Sequence, residues 1–305
     1  MILSISPNPA LDRTLVLPSL EVGAVQRSQQ KLVAAGGKGI NVARAARLLG
    51  SSVLCAGPVG GRDGDLLTAL VQEEGLAAQW TSIKEETRTC LILVSPGGQA
   101  TVINEQGPLM DAASWQHLHA DVLVASQVAR YICFCGSLPP GVGHDQIREL
   151  LLALRDTGKK FWVDSSGPAL RAAAELGGIA LKINQHEAAA LMDDSSSAPE
   201  MLAQAIHTRT AAPVILTLGA RGVLYYTGAE MLVAEPPSIE IVSPVGSGDS
   251  ALAGWLAALE QDQSIPEALR WAAAAGTANA LSIGGARFSH EEFQRILVVT
   301  RIRTL

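Results

Sequence analysis

Short, nearly continuous apolar runs alternate with amphipathic segments along most of the chain, and this alternation restricts the fold more than any other feature. The runs are strand candidates at 2–6, 53–58, 131–136, 160–165, 179–183 and 213–219. Helix candidates lie between them at 40–49, 63–74, 144–156 and 187–192. Apolar strands separated by helices are typical of a mostly parallel sheet with helices on both faces. We therefore predict an α/β fold.

Two segments, 11–33 and 87–107, interrupt this alternation because they lack helical periodicity. Each is typical of hairpin-like strands rather than of a helix that crosses between parallel strands. From residue 248 to the end, the pattern is largely helical. We expect a single domain over residues 1–305, with a small β lid formed by about 11–33 and 87–107.

Charge and hydropathy exclude several classes of function. Hydrophobic residues make up 48% of the 305 positions and the net charge is −6, which argues against a nucleic-acid partner. No apolar run reaches the roughly 20 residues that span a membrane, so we expect no membrane partner. The opening MILSISPNPA lacks the charged region of a signal peptide, and we expect a cytoplasmic protein.

The cysteines predict no metal site. They lack CxxC spacing and a nearby histidine pair, and buried reduced thiols are the simpler interpretation. The four are Cys55, Cys90, Cys133 and Cys135.

A glycine-rich stretch near the C-terminus, SPVGSGDSALAGW at 243–255, places a carboxylate directly before a helical pattern. Gly246 and Gly248 allow main-chain amides to approach an anion closely. Asp249 could simply cap the helix, and the stretch also matches a dinucleotide fingerprint. A carboxylate would repel a passively bound pyrophosphate, however. We infer that Asp249, ionised at its ordinary pKa near 4, accepts a hydroxyl proton while the amides of Gly246, Ser247 and Gly248 stabilise a transferred group.

A second glycine cluster, AAGGKGINVARAARLLG at 34–50, precedes another amphipathic helix. It contains Gly36, Gly37 and Gly39 around Lys38, followed by Asn41. It is not a Walker P-loop. Lys38 could be a solvated loop residue, but the surrounding glycines favour a backbone bent around a polar ligand. We expect the more distal Arg44 and Arg47 to be surface charges.

AGGKGINVA and SPVGSGDSALAG resemble the two signature segments of the ribokinase-like carbohydrate kinases, the phosphofructokinase B family. Further matches follow in order: SPNPALDRT, TR at 87–88, NEQGP at 104–108, CGSLPPG at 135–141, KINQHE at 182–187 and TLGARG at 217–222. The resemblance implies a three-layer α/β sandwich with a mostly parallel central sheet and a small β lid. It also implies ATP as donor, Mg²⁺, and transfer of the γ-phosphoryl group to a sugar hydroxyl.

The resemblance also implies a role for individual positions. The sugar would contact Asp12, Gly36, Gly37, Asn41 and Ser137, with Arg27, Lys38 and Arg88 as cations near its phosphate. Asp249 would be the catalytic base. The nucleotide would lie near Lys182, Asn184, Glu187, Thr217, Gly219 and Gly222, with Glu187 holding Mg²⁺ through water. A monovalent cation such as K⁺ would bind at Ser243, Val245 and Gly284. Ile183 departs from the family pattern, which usually has proline there.

Several cations near the sugar end favour an acceptor that already carries phosphate. The chain most resembles the branch that contains 1-phosphofructokinases and tagatose-6-phosphate kinases, which implies fructose 1-phosphate as substrate. Tagatose 6-phosphate and fructose 6-phosphate stay open as alternatives. A dinucleotide-dependent oxidoreductase and a non-catalytic sugar or nucleotide sensor are the competing classes. The apolar run LILVS at 91–95 favours a homodimer formed through the lid.

Overall fold

The computed structural model of the protein describes residues 1–95 and 99–305, so residues 96–98 of the predicted lid segment lie outside the described residues. The strands are β1 (Ile2–Ile5), β2 (Ala10–Val16), β3 (Gln30–Gly36), β4 (Val53–Val59), β5 (Ala77–Ser82), β6 (Arg88–Ser95), β7 (Gln99–Asn104), β8 (Tyr131–Cys135), β9 (Lys160–Asp164), β10 (Ala180–Asn184), β11 (Val214–Thr217), β12 (Val223–Tyr226), β13 (Met231–Glu235) and β14 (Arg301–Thr304). The helices are α1 (Lys38–Leu48), α2 (Gly61–Glu73), α3 (Ala112–Ser126), α4 (His144–Asp156), α5 (Gly167–Leu176), α6 (Gln185–Met192), α7 (Pro199–Thr210), α8 (Ser247–Glu260), α9 (Ile265–Asn279) and α10 (His290–Val299).

The larger sheet is mostly parallel, as the sequence predicts. Its strand order is β14-β13-β12-β11-β10-β9-β8-β1-β4-β5. Neighbours from β11 to β5 run parallel, while β12, β13 and β14 add antiparallel pairs at one edge. The central strands β1 and β8 are buried along their whole length. This burial explains why both read as nearly continuous apolar runs, with Ser4 of β1 as the polar exception.

Helices cover both faces of this sheet and give the predicted three layers. Successive β1 side chains enter different cores. Ile2 belongs to the core that contains Ile40 of α1 and Trp255 of α8, whereas Leu3 belongs to the core that contains Leu118 of α3 and Ile147 of α4. This division follows from the alternation of side chains along a strand. The four cysteines are free and buried, as expected.

The smaller sheet has the order β3-β2-β6-β7. β2 pairs antiparallel with β3 and parallel with β6, and β7 pairs antiparallel with β6. These strands fall largely within the predicted segments 11–33 and 87–107, although β3 continues to Gly36 and residues 17–29 form a connecting loop. The function of this sheet as a lid stays a prediction.

The C-terminal region is largely helical through α8, α9 and α10, but it ends in β14, which pairs with β13. Residues 239–245 form no regular strand. Across residues 1–95 and 99–305, every helix is too short or too polar to cross a membrane.

Candidate active site

The polar residues of interest gather where the parallel strands end. Asp164 closes β9, Asn184 closes β10 and Thr217 closes β11. In an open α/β sheet, the carboxyl ends of parallel strands lie along one edge, and that edge is where ligands bind. Helix α1 begins at the same edge, because Lys38 at its first position bonds to Asp164. The strand order therefore places distant sequence motifs together.

Helix α8 begins at Ser247, directly after Gly246 in the left-handed region at φ +83°. A Cβ atom on Gly246 would approach the Cα of Gly285 to 2.6 Å, so this turn requires glycine. Asp249 consequently lies in the first turn of α8, at a helix N-terminus as the sequence predicts.

The Asp249 carboxylate is buried and is bound by another helix. Its Oδ2 accepts a hydrogen bond from Nδ2 of Asn41 at 2.8 Å. Within the part of the chain that the structure describes, this is the one hydrogen bond of the Asp249 side chain. Asp249 therefore does not cap α8, and a capping role does not explain the presence of a carboxylate at this position. Burial raises the pKa of Asp249, and Lys38 and Lys182 oppose this rise. The expectation of an ordinary pKa near 4 is therefore wrong. A raised pKa brings a general base closer to neutral pH, where it is most effective.

A buried carboxylate that the sequence analysis missed holds the two lysines that act on Asp249. Asp164 Oδ1 lies 2.8 Å from Nζ of Lys38, and Asp164 Oδ2 lies 2.6 Å from Nζ of Lys182. Burial raises the pKa of Asp164, but the two lysines outweigh this effect and hold that pKa below its ordinary value. The available signal was an aspartate at the end of an apolar strand.

Lys38 stays charged in this cluster. Burial lowers the pKa of Lys38, but Asp164, Asp249 and Glu187 outweigh burial and raise that pKa above its ordinary value. The Lys38 side chain is 35% exposed, so it remains accessible from the cleft.

Asp12, near the start of β2, pairs with Ala34 of β3, and its carboxyl group lies diagonally over Gly36 of the same strand. A Cβ atom on Gly36 would overlap the Asp12 carboxyl group, so a glycine is needed at that position. The pKa of Asp12 is raised to about 7, chiefly by burial; Arg44 and Arg88 oppose this rise, and the charge of Asp249 adds to it. The structure thus places Asp12 within the electrostatic field of Asp249.

The other predicted sugar contacts differ in their surroundings. The Arg88 guanidinium donates to the main-chain carbonyls of Asn8, at 2.9 and 3.2 Å, and of Glu105, at 2.9 Å. Ser137 is exposed, and its Oγ accepts a 3.5 Å hydrogen bond from Asn8. Arg27 is exposed in the loop after β2, and its side chain makes no hydrogen bond or ion pair to the described residues.

Residues 184–187 form a reciprocal cap at the start of α6. Glu187 Oε2 accepts from the amide of Asn184 at 2.9 Å, and Asn184 Oδ1 accepts from the amide of Glu187 at 2.8 Å. Glu187 Oε1 lies 3.8 Å from Nζ of Lys38. Ile183 is buried within β10 and pairs with Leu216 of β11, so isoleucine at this position continues the sheet.

The second predicted nucleotide segment, 217–222, lies beside the first. Gly219 begins a short 3₁₀ turn, and Gly222 adopts φ +98° where a Cβ atom would overlap the carbonyl of Ala234. Arg221 donates to Oε1 of Gln185 at 2.6 Å, which ties this turn to α6. The strand ends thus bring both predicted nucleotide segments together.

The carboxylates of the described residues suit a divalent ion that is bound through water better than one that is bound by protein ligands alone. Among residues 1–95 and 99–305, no group of three or more His, Cys, Asp or Glu side chains could hold a metal ion. Glu187 Oε1 accepts no hydrogen bond from the described residues, so it can accept from a metal-bound water.

A buried asparagine that the sequence analysis did not identify organises the predicted monovalent-cation segment. Asn279 donates to the carbonyl of Val245 at 2.8 Å and to Oγ of Ser247 at 3.1 Å. Its Oδ1 accepts from the amide of Ala286 at 2.6 Å. Asn279 therefore joins the loop of Ser243 and Val245 to the loop of Gly284, whose φ is +94°. The main-chain carbonyls of these two loops are neutral oxygen ligands, which suit a large monovalent ion.

The prediction that Arg44 is a surface charge is wrong. Its side chain is 10% exposed, lies 2.6 Å from Glu74 and donates to Oδ1 of Asn41 at 2.9 Å. Arg44 is three residues after Asn41, which places both on one face of α1. Arg47 is exposed, as expected.

Comparisons with known proteins agree with this geometry. The model of the pfkB family of carbohydrate kinases matches residues 9–292. The chain is 32% identical to the ATP-dependent 6-phosphofructokinase isozyme 2 of Escherichia coli over 94% of this chain and 95% of the relative. It is 34% identical to the 1-phosphofructokinase of Haloferax volcanii over 88% of each. The crystal structure of E. coli phosphofructokinase-2 in complex with potassium superposes with a TM-score of 0.89 at 29% identity, covering 97% of this chain and 98% of the other.

Proposed function

The chain belongs to the pfkB family of carbohydrate kinases, and we propose that it transfers the γ-phosphoryl group of ATP to a hydroxyl of fructose 1-phosphate. The observation that carries this proposal is the buried Asp249 carboxylate in the first turn of α8, held by Asn41 beside the ammonium groups of Lys38 and Lys182. A hydroxyl needs a base as it attacks phosphorus, and the transferred group needs positive charge.

In the proposed reaction, Asp249 accepts the proton of the sugar hydroxyl while the hydroxyl oxygen forms a bond to the γ-phosphorus. The bond between the γ-phosphorus and the bridging oxygen of ATP breaks, and ADP leaves with that electron pair. Lys182 lies next to the glycine loop, since a Cβ atom on Gly248 would be 2.9 Å from its Nζ. The Ser247 amide already donates to the carbonyl of Pro244 at 3.2 Å. Gly246 and Gly248 therefore supply the amides that we propose for the transferred group.

Two cations support an acceptor that carries its own phosphate. Lys38 is partly exposed, and Arg88 is held by main-chain carbonyls near Asp12, the proposed ligand of sugar hydroxyls. A charge-assisted contact contributes about 1.5–3 kcal/mol, enough to separate a sugar phosphate from a free sugar.

The nucleotide is proposed to bind along 182–187 and 217–222. Lys182 would face its phosphates, with Asn184, Thr217, Gly219 and Gly222 shaping the site beneath it. Glu187 would hold the water shell of Mg²⁺, which neutralises phosphate charge when bound. Ser243, Val245 and Gly284 would bind K⁺. A rise in turnover when K⁺ replaces tetramethylammonium would support this last site, and equal turnover in both salts would contradict it.

The small sheet is the proposed dimer surface, because Ile103 of β7 is 54% exposed.

Free buried cysteines fit a reducing compartment, and we propose a cytoplasmic location.

A coupled assay of ADP release, run with a panel of acceptors, tests the function. The panel contains fructose 1-phosphate, fructose 6-phosphate, tagatose 6-phosphate and fructose. We expect the highest kcat/KM with fructose 1-phosphate and the lowest with fructose. Faster turnover of another ketohexose phosphate would change the assigned substrate but keep the reaction. Tight ATP binding without ADP release from any acceptor would favour a sensor.

A further inference from the structure

A chain of hydrogen bonds runs from the candidate base to a guanidinium deeper in α1. Asn41 Nδ2 donates to Asp249 Oδ2 at 2.8 Å, and Asn41 Oδ1 accepts from Nη1 of Arg44 at 2.9 Å. Both ends of the carboxamide are therefore occupied by groups of opposite hydrogen-bonding character.

The partners of Arg44 determine which way this carboxamide points. A guanidinium only donates and an ionised carboxylate only accepts, so the amide oxygen must face Arg44 and the amide nitrogen must face Asp249. Without Arg44, a half-turn of the amide could place its oxygen against the carboxylate. That orientation would replace an attractive contact with a repulsive one.

Arg44 is itself firmly anchored. Its Nε and Nη2 donate to Glu74 at 2.6 and 3.2 Å, and its other bonds reach the main-chain carbonyls of Gly285 and Ala35. Arg287 donates to the same Glu74 carboxylate at 2.6 Å. The bidentate ion pair between Arg44 and Glu74 restricts the Arg44 guanidinium in position and rotation. Arg44 thus has one orientation from which to hold Asn41.

We propose that Arg44 is a positioning residue that locks the Asn41 carboxamide in the orientation that donates to Asp249. This inference rests on the proposed role of Asp249 as the base. It goes beyond that role, because the N–H donors of Arg44 all bond to protein groups, so Arg44 acts through Asn41.

Other charges also act on Asp249 and must be kept constant in any test. They come from β2, α1, the end of β9 and β10, with a thiol from β8. These groups are Asp12, Lys38, Asp164, Lys182 and Cys135.

The test compares Arg44→Gln with Arg47→Gln, a change one turn further along α1 at an exposed position. The readouts are kcat against pH and the KM for ATP, measured with the acceptor that the wild type turns over fastest. We expect Arg44→Gln to lower kcat about ten- to a hundredfold at pH 7 and by less at pH 9. The acid limb of its profile should move to higher pH, because the ionised base loses a donor. The KM for ATP and all parameters of Arg47→Gln should stay within about twofold of wild type.

A double-mutant cycle separates positioning from general damage to the fold. If Arg44 acts through Asn41, Arg44→Gln should reduce kcat no further, within about twofold, in an Asn41→Ala background. Multiplied losses would overturn the inference, as would an unshifted acid limb in Arg44→Gln. If Arg44→Gln does not fold, Asn41→Ala alone tests the inference. An acid limb of kcat at the wild-type pH in Asn41→Ala would overturn it, because the Asn41 amide would then not act on the base. Asp249→Asn in the same assay keeps the two proposals apart: if it retains turnover, the base assignment itself fails.

Discussion

Asn41 and Asp249 are 208 positions apart in the chain, yet Nδ2 of one lies 2.8 Å from Oδ2 of the other. This contact joins the first turn of α1 to the first turn of α8. The two glycine-rich segments, which can be recognised separately in the sequence, therefore form one site. Helix α8 supplies the carboxylate of Asp249, and α1 supplies the hydrogen-bond donor, Asn41, that holds this carboxylate in place.

Gly285→Ala should damage this contact without removing a charged group. The new Cβ atom would lie 2.7 Å from Nδ2 of Asn41, which is tethered at both ends and has little freedom to move. We expect kcat to fall about ten- to a hundredfold, because small displacements in a catalytic site are costly. Gly143→Ala is the matched control, since its Cβ would meet Gln146 at an ordinary 3.4 Å. Equal activity of both variants would show that the Asn41 position tolerates displacement.

Asp12→Asn should stabilise the protein in a pH-dependent manner. Burial raises the pKa of Asp12 from 3.8 to about 7, so the stability that its neutral form contributes is complete below about pH 4 and is lost as pH rises through 7. The amide is neutral at every pH. The Tm of the variant should therefore match wild type at pH 4 and exceed it by about 3–6 °C at pH 8.

The same substitution should raise the KM for the sugar phosphate more than tenfold if Asp12 binds its hydroxyl groups. Asp65→Asn, at an exposed position, is the control for both measurements. A constant Tm difference from pH 4 to pH 8 would contradict the raised pKa of Asp12.

Lys38→Met should separate acceptor binding from nucleotide binding. It removes one of the two cations on Asp164 but leaves Lys182, which lies 2.6 Å from the same carboxylate. We expect the KM for the sugar phosphate to rise at least about tenfold, the value of one lost charge-assisted contact, while the KM for ATP changes little. Lys84→Met, at an exposed position, is the control. An unchanged KM for the sugar phosphate would place its phosphate elsewhere.

Ile103→Lys should dissociate the protein if the small sheet is its dimer surface. Ile103 is 54% exposed on β7, and a lysine there would put charge into an apolar contact. Sedimentation velocity should give a dimer for wild type and a monomer for the variant. Val124→Lys changes a 60% exposed residue of α3 and should remain dimeric. A wild-type monomer, or a dimeric Ile103→Lys, would contradict the proposed surface.

Periodicity and glycine placement predict much of this structure. Nearly continuous apolar runs such as β1 and β8 identify the parallel sheet because both faces of those strands are covered. Gly246, three residues before Asp249, identifies the start of α8, because few residues other than glycine adopt its left-handed conformation.

Contacts between distant segments are harder to predict. Asp164 has no distinctive local pattern, and only the strand order shows that two lysines meet it. Asn279 resembles an ordinary helix residue until the fold brings Val245 and Ala286 to its carboxamide. The sequence alone could have placed Arg44 beside Asn41, since the two residues share a face of α1. The burial of Arg44 could not be predicted in this way, because its partner Glu74 comes from the end of a different helix. The raised pKa of Asp249 likewise depends on burial, which tertiary structure alone determines.

The most direct test of this account is the turnover number of Asp249→Asn with saturating MgATP and ketohexose phosphate. The amide preserves the shape of the side chain but cannot accept the hydroxyl proton. We predict that kcat falls about 10²–10⁴-fold, the usual share of general-base catalysis, while ATP affinity and the exposed control Asp65→Asn stay near wild type. A kcat within threefold of wild type would contradict the central claim that this carboxylate is the base.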